Sequence, residues 1–337
     1  MDNILGMHHV TAITSSAPKI YRFFTDILGM RMVKKTVNQD DIQTYHLYFA
    51  DDRGNPGTTM TFFDFKGIRR AVHGNNEVSR TTFRVPSDEA IYYFEKRFVK
   101  YEIKHQKPYK LFNKLMINFE DFDGQRYALI SDETKASYDK GTPWFNGPVP
   151  NEFGIIGLGP VFMRAKDLER MERILTDILG FRKVEKENAF YLYEVNVGGN
   201  NESVIIEHNL LLPNAVQGFG GVHHIAFRVK NREEMAKWED FFESFGIPNS
   251  GFVDRYYFRS LYTRLYPNIL FEIATDDPGF IDDEDTYDIL GENLTLPPLY
   301  KNRSEYVYSV IQLFDSSDAN KKREKEYLWG IWWNKIV

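Results

Sequence analysis

Apolar positions along this chain follow a spacing of about 3.6 in some stretches and about 2 in others. The switch between the two recurs in a fixed order. Residues Ala17 to Leu28 have helical spacing and stop at Gly29, where a left-handed residue closes a helix. Lys166 to Leu179 does the same before Gly180, and Thr25-Asp26-Ile27-Leu28-Gly29-Met30-Arg31 returns as Thr176-Asp177-Ile178-Leu179-Gly180-Phe181-Arg182, an offset of 151 residues. Strand-like runs follow each copy, Tyr45 to Phe49 with Thr58 to Phe63, and Phe190 to Val195 with Ser203 to His208. A second unit repeats at an offset of 144 residues, where Thr82-Phe83-Arg84-Val85 returns as Ala226-Phe227-Arg228-Val229. Helices are predicted after these runs, at about Asp88 to Val99 and Arg232 to Phe245. Strand pairs follow at Lys114 to Phe119 with Arg126 to Ile130, and at Tyr257 to Leu265 with Ile269 to Ala274.

The order strand, helix, three strands therefore occurs four times, from near Met7, Ser79, Gly154 and Gly221, and predicts an α+β chain of four βαβββ modules. A curved sheet with a helix on one face must cover its other face with a second module. Two lobes of two modules follow. Glycines and prolines cluster from Lys140 to Asn151, which divides the chain into 1–140, 152–290 and a tail, 291–337. Module 1 (residues 7–64) is expected to fold beside module 4 (residues 221–275). The acidic stretch of Asp276, Asp277, Asp282, Asp283, Glu284 and Asp285 is expected as a solvated loop. The aromatic segment Tyr327 to Trp333 is expected to pack on its own domain, or on a second copy in a homo-oligomer.

Composition narrows the partners. With 337 residues, 42% of them hydrophobic, the chain is long enough for genuine cores. The net charge is −6 with both signs interspersed, so neither nucleic acid nor a membrane surface is an expected partner. A small neutral or mildly charged ligand is. The absence of cysteine removes disulfides, thiolate metal sites and a cysteine nucleophile together. The first residues lack a leader pattern and no apolar run reaches the length of a membrane span, which leads to the expectation of a soluble, cytoplasmic protein.

Candidate chemistry concentrates in two dipeptides. His8-His9 follows Gly6-Met7, His223-His224 follows Gly221-Val222, and these hold four of the eight histidines. Both open β-prone runs at equivalent places in modules 1 and 4. Alternation sends His224, Ala226 and Arg228 to one side and His223, Ile225 and Phe227 to the other. One histidine of each pair can then be a ligand while its neighbour lines or supports the pocket. Glu272, alone among apolar residues in Ile269 to Ala274, is a carboxylate in need of a buried partner. Two imidazoles and a carboxylate leave positions open on a six-coordinate ion, as in non-haem Fe(II) oxygenases. Thr58 to Phe63 offers no fourth ligand, and the cup of modules 2 and 3 lacks the histidines, so one metal site is expected. His46, His73 and His105 are read as surface or structural residues, His46 lying near the cup.

HHVT, HHIAF and the terminal Phe-Glu of module 4 make the chain resemble the vicinal oxygen chelate superfamily, which includes glyoxalases, bleomycin resistance proteins and extradiol dioxygenases. Tyr45 to Asp51 with Gly54 to Thr58, and Asp254 to Tyr262, are similar to the hydroquinone ring-cleaving dioxygenases typified by 2,6-dichlorohydroquinone dioxygenase. The resemblance spans about residues 5 to 290. It implies Fe²⁺, with Mn²⁺ or Zn²⁺ as alternatives, held by His9, His224 and Glu272. It further implies His8, Thr11, His223, Arg255 and Tyr262 around a small aromatic diol and O2. Tyr256 and Arg259 depart from the pattern and bear on ring substituents. The rival activities on the same scaffold are a glyoxalase-type isomerase or thiol transferase, and an extradiol dioxygenase acting on catechols.

Overall fold

The computed structural model describes residues 4–133, 141–281 and 285–328. Module 1 comprises β1 (Met7–Ile13), α1 (Ala17–Arg22), β2 (Arg31–Val37), β3 (Tyr45–Ala50) and β4 (Thr59–Phe63). In module 2 these become β5 (Glu77–Val85), α2 (Asp88–Lys100), β6 (Tyr109–Leu111), β7 (Lys114–Glu120) and β8 (Arg126–Ser131). A short β9 (Gly157–Leu158) precedes module 3, which has β10 (Val161–Ala165), α3 (Leu168–Arg173), β11 (Arg182–Glu187), β12 (Phe190–Glu194) and β13 (Ser203–His208). Module 4 holds β14 (Gly221–Val229), α4 (Arg232–Ser244), β15 (Asn249–Asp254), β16 (Arg259–Tyr266) and β17 (Ile269–Thr275), and α5 (Ser304–Val310) lies in the tail.

Among these residues the strands form two sheets, in the orders β15-β16-β17-β14-β1-β4-β3-β2 and β11-β12-β13-β10-β5-β8-β7-β6. The first joins modules 4 and 1 through antiparallel β1 and β14, the second joins modules 3 and 2 through β10 and β5. Each sheet thus takes one module from each half of the chain. The division at 1–140 and 152–290 is a division of the chain and not of the sheets. Residues 141–150 are loop, tied down where the Asp52 amide donates to the Thr142 carbonyl and Lys325 Nζ donates to the Val149 carbonyl, 3.0 and 2.9 Å; Lys140 lies outside the described residues.

The sheet faces that carry no site meet the helices in one continuous core. Phe24 on the inner face of the first helix packs against Phe49 and Phe62, ring centroids 4.8 and 5.0 Å apart. Both offset-related helices finish in wider, π-type turns, Phe23–Leu28 and Ile174–Ile178. Gly29 (φ 70°) then reverses the chain against Val149, whose Cγ2 would lie 2.6 Å from any Cβ there.

The acidic stretch is not simply solvated. Asp276 pairs with Arg228 (2.9 Å) and Asp277 with Arg259 (3.2 Å), while Asp285 is buried against Lys34. A buried lysine in β2 needs an anion, and the loop supplies it. Asp282, Asp283 and Glu284 lie outside the described residues. The tail straps across modules 1 and 2, with Asp318 bound to Arg22 (2.7 Å) and Glu326 to Arg97 (2.6 Å). Of the aromatic segment, Tyr327 and Leu328 lie in a shallow depression with Tyr93 and Phe153; residues 329–333 are outside the described residues. No described helix is long and apolar enough to cross a membrane.

Candidate metal centre

The β1–β14 pairing sets Thr11 opposite His224 and His9 opposite Ala226, while β14 and β17 run in parallel with Ala226 beside Glu272. This register turns His9, His224 and Glu272 to one face of the first sheet. Ile225 and Phe227 take the other face and enter the core. Nε2 of His9, Nε2 of His224 and Oε2 of Glu272 form a triangle with edges of 3.1, 3.1 and 3.2 Å. Among the described residues it is the one buried His/Asp/Glu cluster able to hold a metal.

Hydrogen bonds orient every corner. Ser260 Oγ donates to Glu272 Oε1 (2.5 Å), which leaves Oε2 aimed at the imidazoles with no hydrogen-bond partner of its own. His8 Nε2 lies 3.0 Å from the Thr275 carbonyl, which can only accept, so the proton of neutral His8 sits on Nε2. Burial, then the His9 ring beside it, pushes His8 down to about 3 and keeps it neutral. Its bare Nδ1, 2.8 Å from His9 Nδ1, therefore accepts from His9. A bare Nε2 on His9 then faces the Glu272 carboxylate. His223 and His224 touch in the same way, Nδ1 to Nδ1 at 2.8 Å, and burial followed by the neighbouring His224 ring holds His223 at about 3. Burial works to raise the Glu272 carboxyl, but His9 and His224 outweigh it and hold the carboxyl well below its usual range.

Three lone pairs converging in a buried space repel one another unless a cation lies between them. An ion meeting the three at right angles would sit roughly 2.2 Å from each, an ordinary metal–nitrogen or metal–oxygen bond. The residues fit a divalent metal. The place in β4 that corresponds to Glu272 is taken by Thr61, so the set stops at three protein ligands.

Thr61 belongs instead to a chain of hydrogen bonds. Tyr48 Oη meets His46 Nδ1 at 2.7 Å, His46 Nε2 meets Thr61 Oγ1 at 2.9 Å, and Thr61 meets Thr11 Oγ1 at 2.8 Å. Thr11 Oγ1 in turn lies 2.9 Å from His224 Nε2. Burial keeps the Tyr48 hydroxyl protonated and His46 neutral. His46 is thus a wall of the site, where the sequence reading left it beside the cup. Its exposed-looking pattern, alternating with Tyr45 and Leu47, carried no signal for this.

A cavity of about 340 Å³ opens beside the triangle, walled by His223, Arg255, Phe258 and Tyr262 among others. Phe258 packs over His8 and His9, centroids 5.2 and 5.0 Å apart, and was not foreseen. Tyr262 stands opposite Glu272 in β16; Arg255 sits in the turn before that strand. Arg255 Nε donates to Tyr262 Oη (3.2 Å) and its outer nitrogens grip Asp40 (3.1 and 2.9 Å). Gln39 Nε2 donates to the Arg255 carbonyl (2.8 Å), so module 1 holds this module 4 side chain in place. Tyr256 and Arg259 do not wall the cavity, and Arg259 is turned to Asp277.

The sequence profile of the Glyoxalase/Bleomycin resistance protein/Dioxygenase superfamily matches residues 6–129 and 157–285. MhqA of Bacillus subtilis (strain 168), provisionally named a ring-cleaving dioxygenase, is 40% identical over 304 residues, spanning 88% of this chain and 95% of the relative. The chlorohydroquinone/hydroquinone 1,2-dioxygenase of Sphingobium indicum is 27% identical over 320 residues, spanning 92% and 97%. The crystal structure of a provisionally assigned dioxygenase from Bacillus subtilis superposes with a TM-score of 0.86 at 32% identity, covering 96% of this chain and 100% of that one.

Proposed function

Because the chain belongs to the glyoxalase/bleomycin resistance protein/dioxygenase superfamily, we propose that it is an Fe(II)-dependent, extradiol-type dioxygenase that opens hydroquinone rings with O2. His9, His224 and Glu272 would hold the metal. The observation that carries the reading is the triangle itself: three bare donor atoms on one side, and an aromatic-walled cavity of about 340 Å³ on the other. When bound, the iron would supply open positions where diol and dioxygen meet and a path for electron density from ring to oxygen.

The surrounding residues address what a para-diol requires. Its second hydroxyl lies across the ring and cannot chelate, so protein groups must meet it. Tyr262 accepts from Arg255, and burial followed by the charge of Glu272 raises its phenol, so it remains protonated and can donate to a substrate oxygen. His223 is neutral, accepts from His224 at Nδ1 and so carries its proton on Nε2, where it can donate. Arg255, held by Asp40, keeps positive charge beside an oxygen that becomes negative as its proton leaves. Phe258 covers one face of the ligand set and keeps bulk water from it. Mn²⁺ and Zn²⁺ suit the same donors, but a three-ligand set lacking further carboxylate supports an oxygenase over a glyoxalase-type isomerase or thiol transferase.

Protein purified without oxygen and loaded with Fe(II), Mn(II) or Zn(II) separates these readings. Oxygen uptake with methylhydroquinone, dependent on Fe(II) and faster than with 4-methylcatechol, is the expected result. Faster uptake with the catechol would make the chain a catechol extradiol dioxygenase. Turnover of methylglyoxal with a thiol, and no oxygen uptake, would replace the proposal with an isomerase.

A further inference from the structure

The second sheet contains a cup built like the first, and its chemistry is inverted. The 144-residue offset places Arg80 where module 4 has His224, Ala128 where it has Glu272 and Arg126 where it has Leu270; the 151-residue offset places Pro160 where module 1 has His9. Strand registers agree. Arg80 faces Phe162 across β5 and β10 as His224 faces Thr11 across β14 and β1, and Ala128 lies beside Thr82 as Glu272 lies beside Ala226. Each metal-ligand position has thus become apolar or cationic.

A cavity of about 290 Å³ opens in this cup, lined by Arg80, Arg126, Arg164, Lys104, Asn118 and Glu120 among others. The other charges around it are already paired. Arg164 holds Glu207 (2.8 Å) and Glu77 (3.4 Å), and Lys104 holds Glu120 (2.8 Å). Arg80 and Arg126 make no ion pair with a carboxylate among the described residues. The Arg80 guanidinium lies 4.5 Å over the Phe162 ring, and Nη1 of Arg126 is buried without a hydrogen-bond partner. A guanidinium nitrogen buried without an acceptor is costly, and a planar oxyanion set between Arg126 and Arg80 would supply that acceptor and meet a second cation at once.

We propose that the cup of modules 2 and 3 is a second ligand site, which binds a small planar carboxylate between Arg80 and Arg126, separate from the metal centre.

Crystals of the full chain soaked with 4-iodobenzoate, and calorimetric titration with benzoate, phosphate and benzamide, test this. Anomalous scattering from iodine should appear in the cup of modules 2 and 3. Benzoate should bind the wild-type and His9→Ala proteins alike, benzamide should not bind, and Arg80→Gln or Arg126→Gln should weaken benzoate by about tenfold or more. Arg126→Lys, which keeps charge but loses the fork, should retain part of the affinity. Iodine found only beside His9, His224 and Glu272, or benzoate affinity unchanged in both Gln variants, overturns the proposal. Phosphate binding as tightly as benzoate overturns the carboxylate assignment. Should the Gln variants fail to fold, judged by circular dichroism, the wild-type iodine position decides the matter.

Discussion

At the residue scale, the ligand assignment rests on where protons sit. His9→Ala, His224→Ala and Glu272→Ala are each expected to abolish tight iron binding, because each removes one corner of a three-atom set. Metal analysis after gel filtration checks this, and wild-type iron content in any of the three would refute that ligand. Ser260→Ala should keep the metal but weaken it by about 10–100-fold, since Ser260 fixes which oxygen of Glu272 faces the imidazoles. His8→Ala and His223→Ala should retain iron. Arg255→Leu and Tyr262→Phe should retain it too, yet lose on the order of 10²-fold in hydroquinone turnover, and less with a catechol that chelates through both oxygens. Equal losses on both substrates would remove the special role given to the second hydroxyl. The cluster of His9, His224 and Glu272 was legible because a histidine pair recurs at equivalent places in two modules and a lone glutamate sits in an apolar strand. Ser260, His46, Asp40 and Phe258 were not, because their roles come from contacts with distant parts of the chain.

At the element scale, helix ends and central strands could be read from spacing, including the glycines that close both offset-related helices. The strands that open each triple could not. β11 reads Arg-Lys-Val-Glu-Lys-Glu and is mostly exposed, so it offers neither alternation nor an apolar face. The π-type turns also escaped, since one extra residue in a turn leaves the apolar pattern almost unchanged. Gly29→Ala tests the reversal they lead into. A left-handed alanine costs about 1–2 kcal/mol by conformation alone, and its Cβ must also displace Val149. The urea midpoint should fall with an unchanged slope. An unaltered midpoint would mean that the chain turns elsewhere.

At the scale of the whole molecule, the pairing of module 1 with module 4 is the one expected from the paired repeat at offsets of 151 and 144 residues. That each sheet spans both halves follows from the same register, and the composition of the linker does not reveal it. Interlocked halves should unfold together. Calorimetry should give one transition rather than two, and it should move to higher temperature on iron loading by mass action; two separate transitions would show that 1–140 and 152–290 fold independently. The central claim is that this scaffold brings a para-diol and O2 to one iron held by His9, His224 and Glu272. The most direct measurement is single-turnover reaction of the Fe(II) protein with methylhydroquinone under ¹⁸O₂, quenched with borohydride to prevent exchange and read by mass spectrometry. The account predicts a ring-opened acid carrying both labelled atoms. An unlabelled quinone as the product would contradict it.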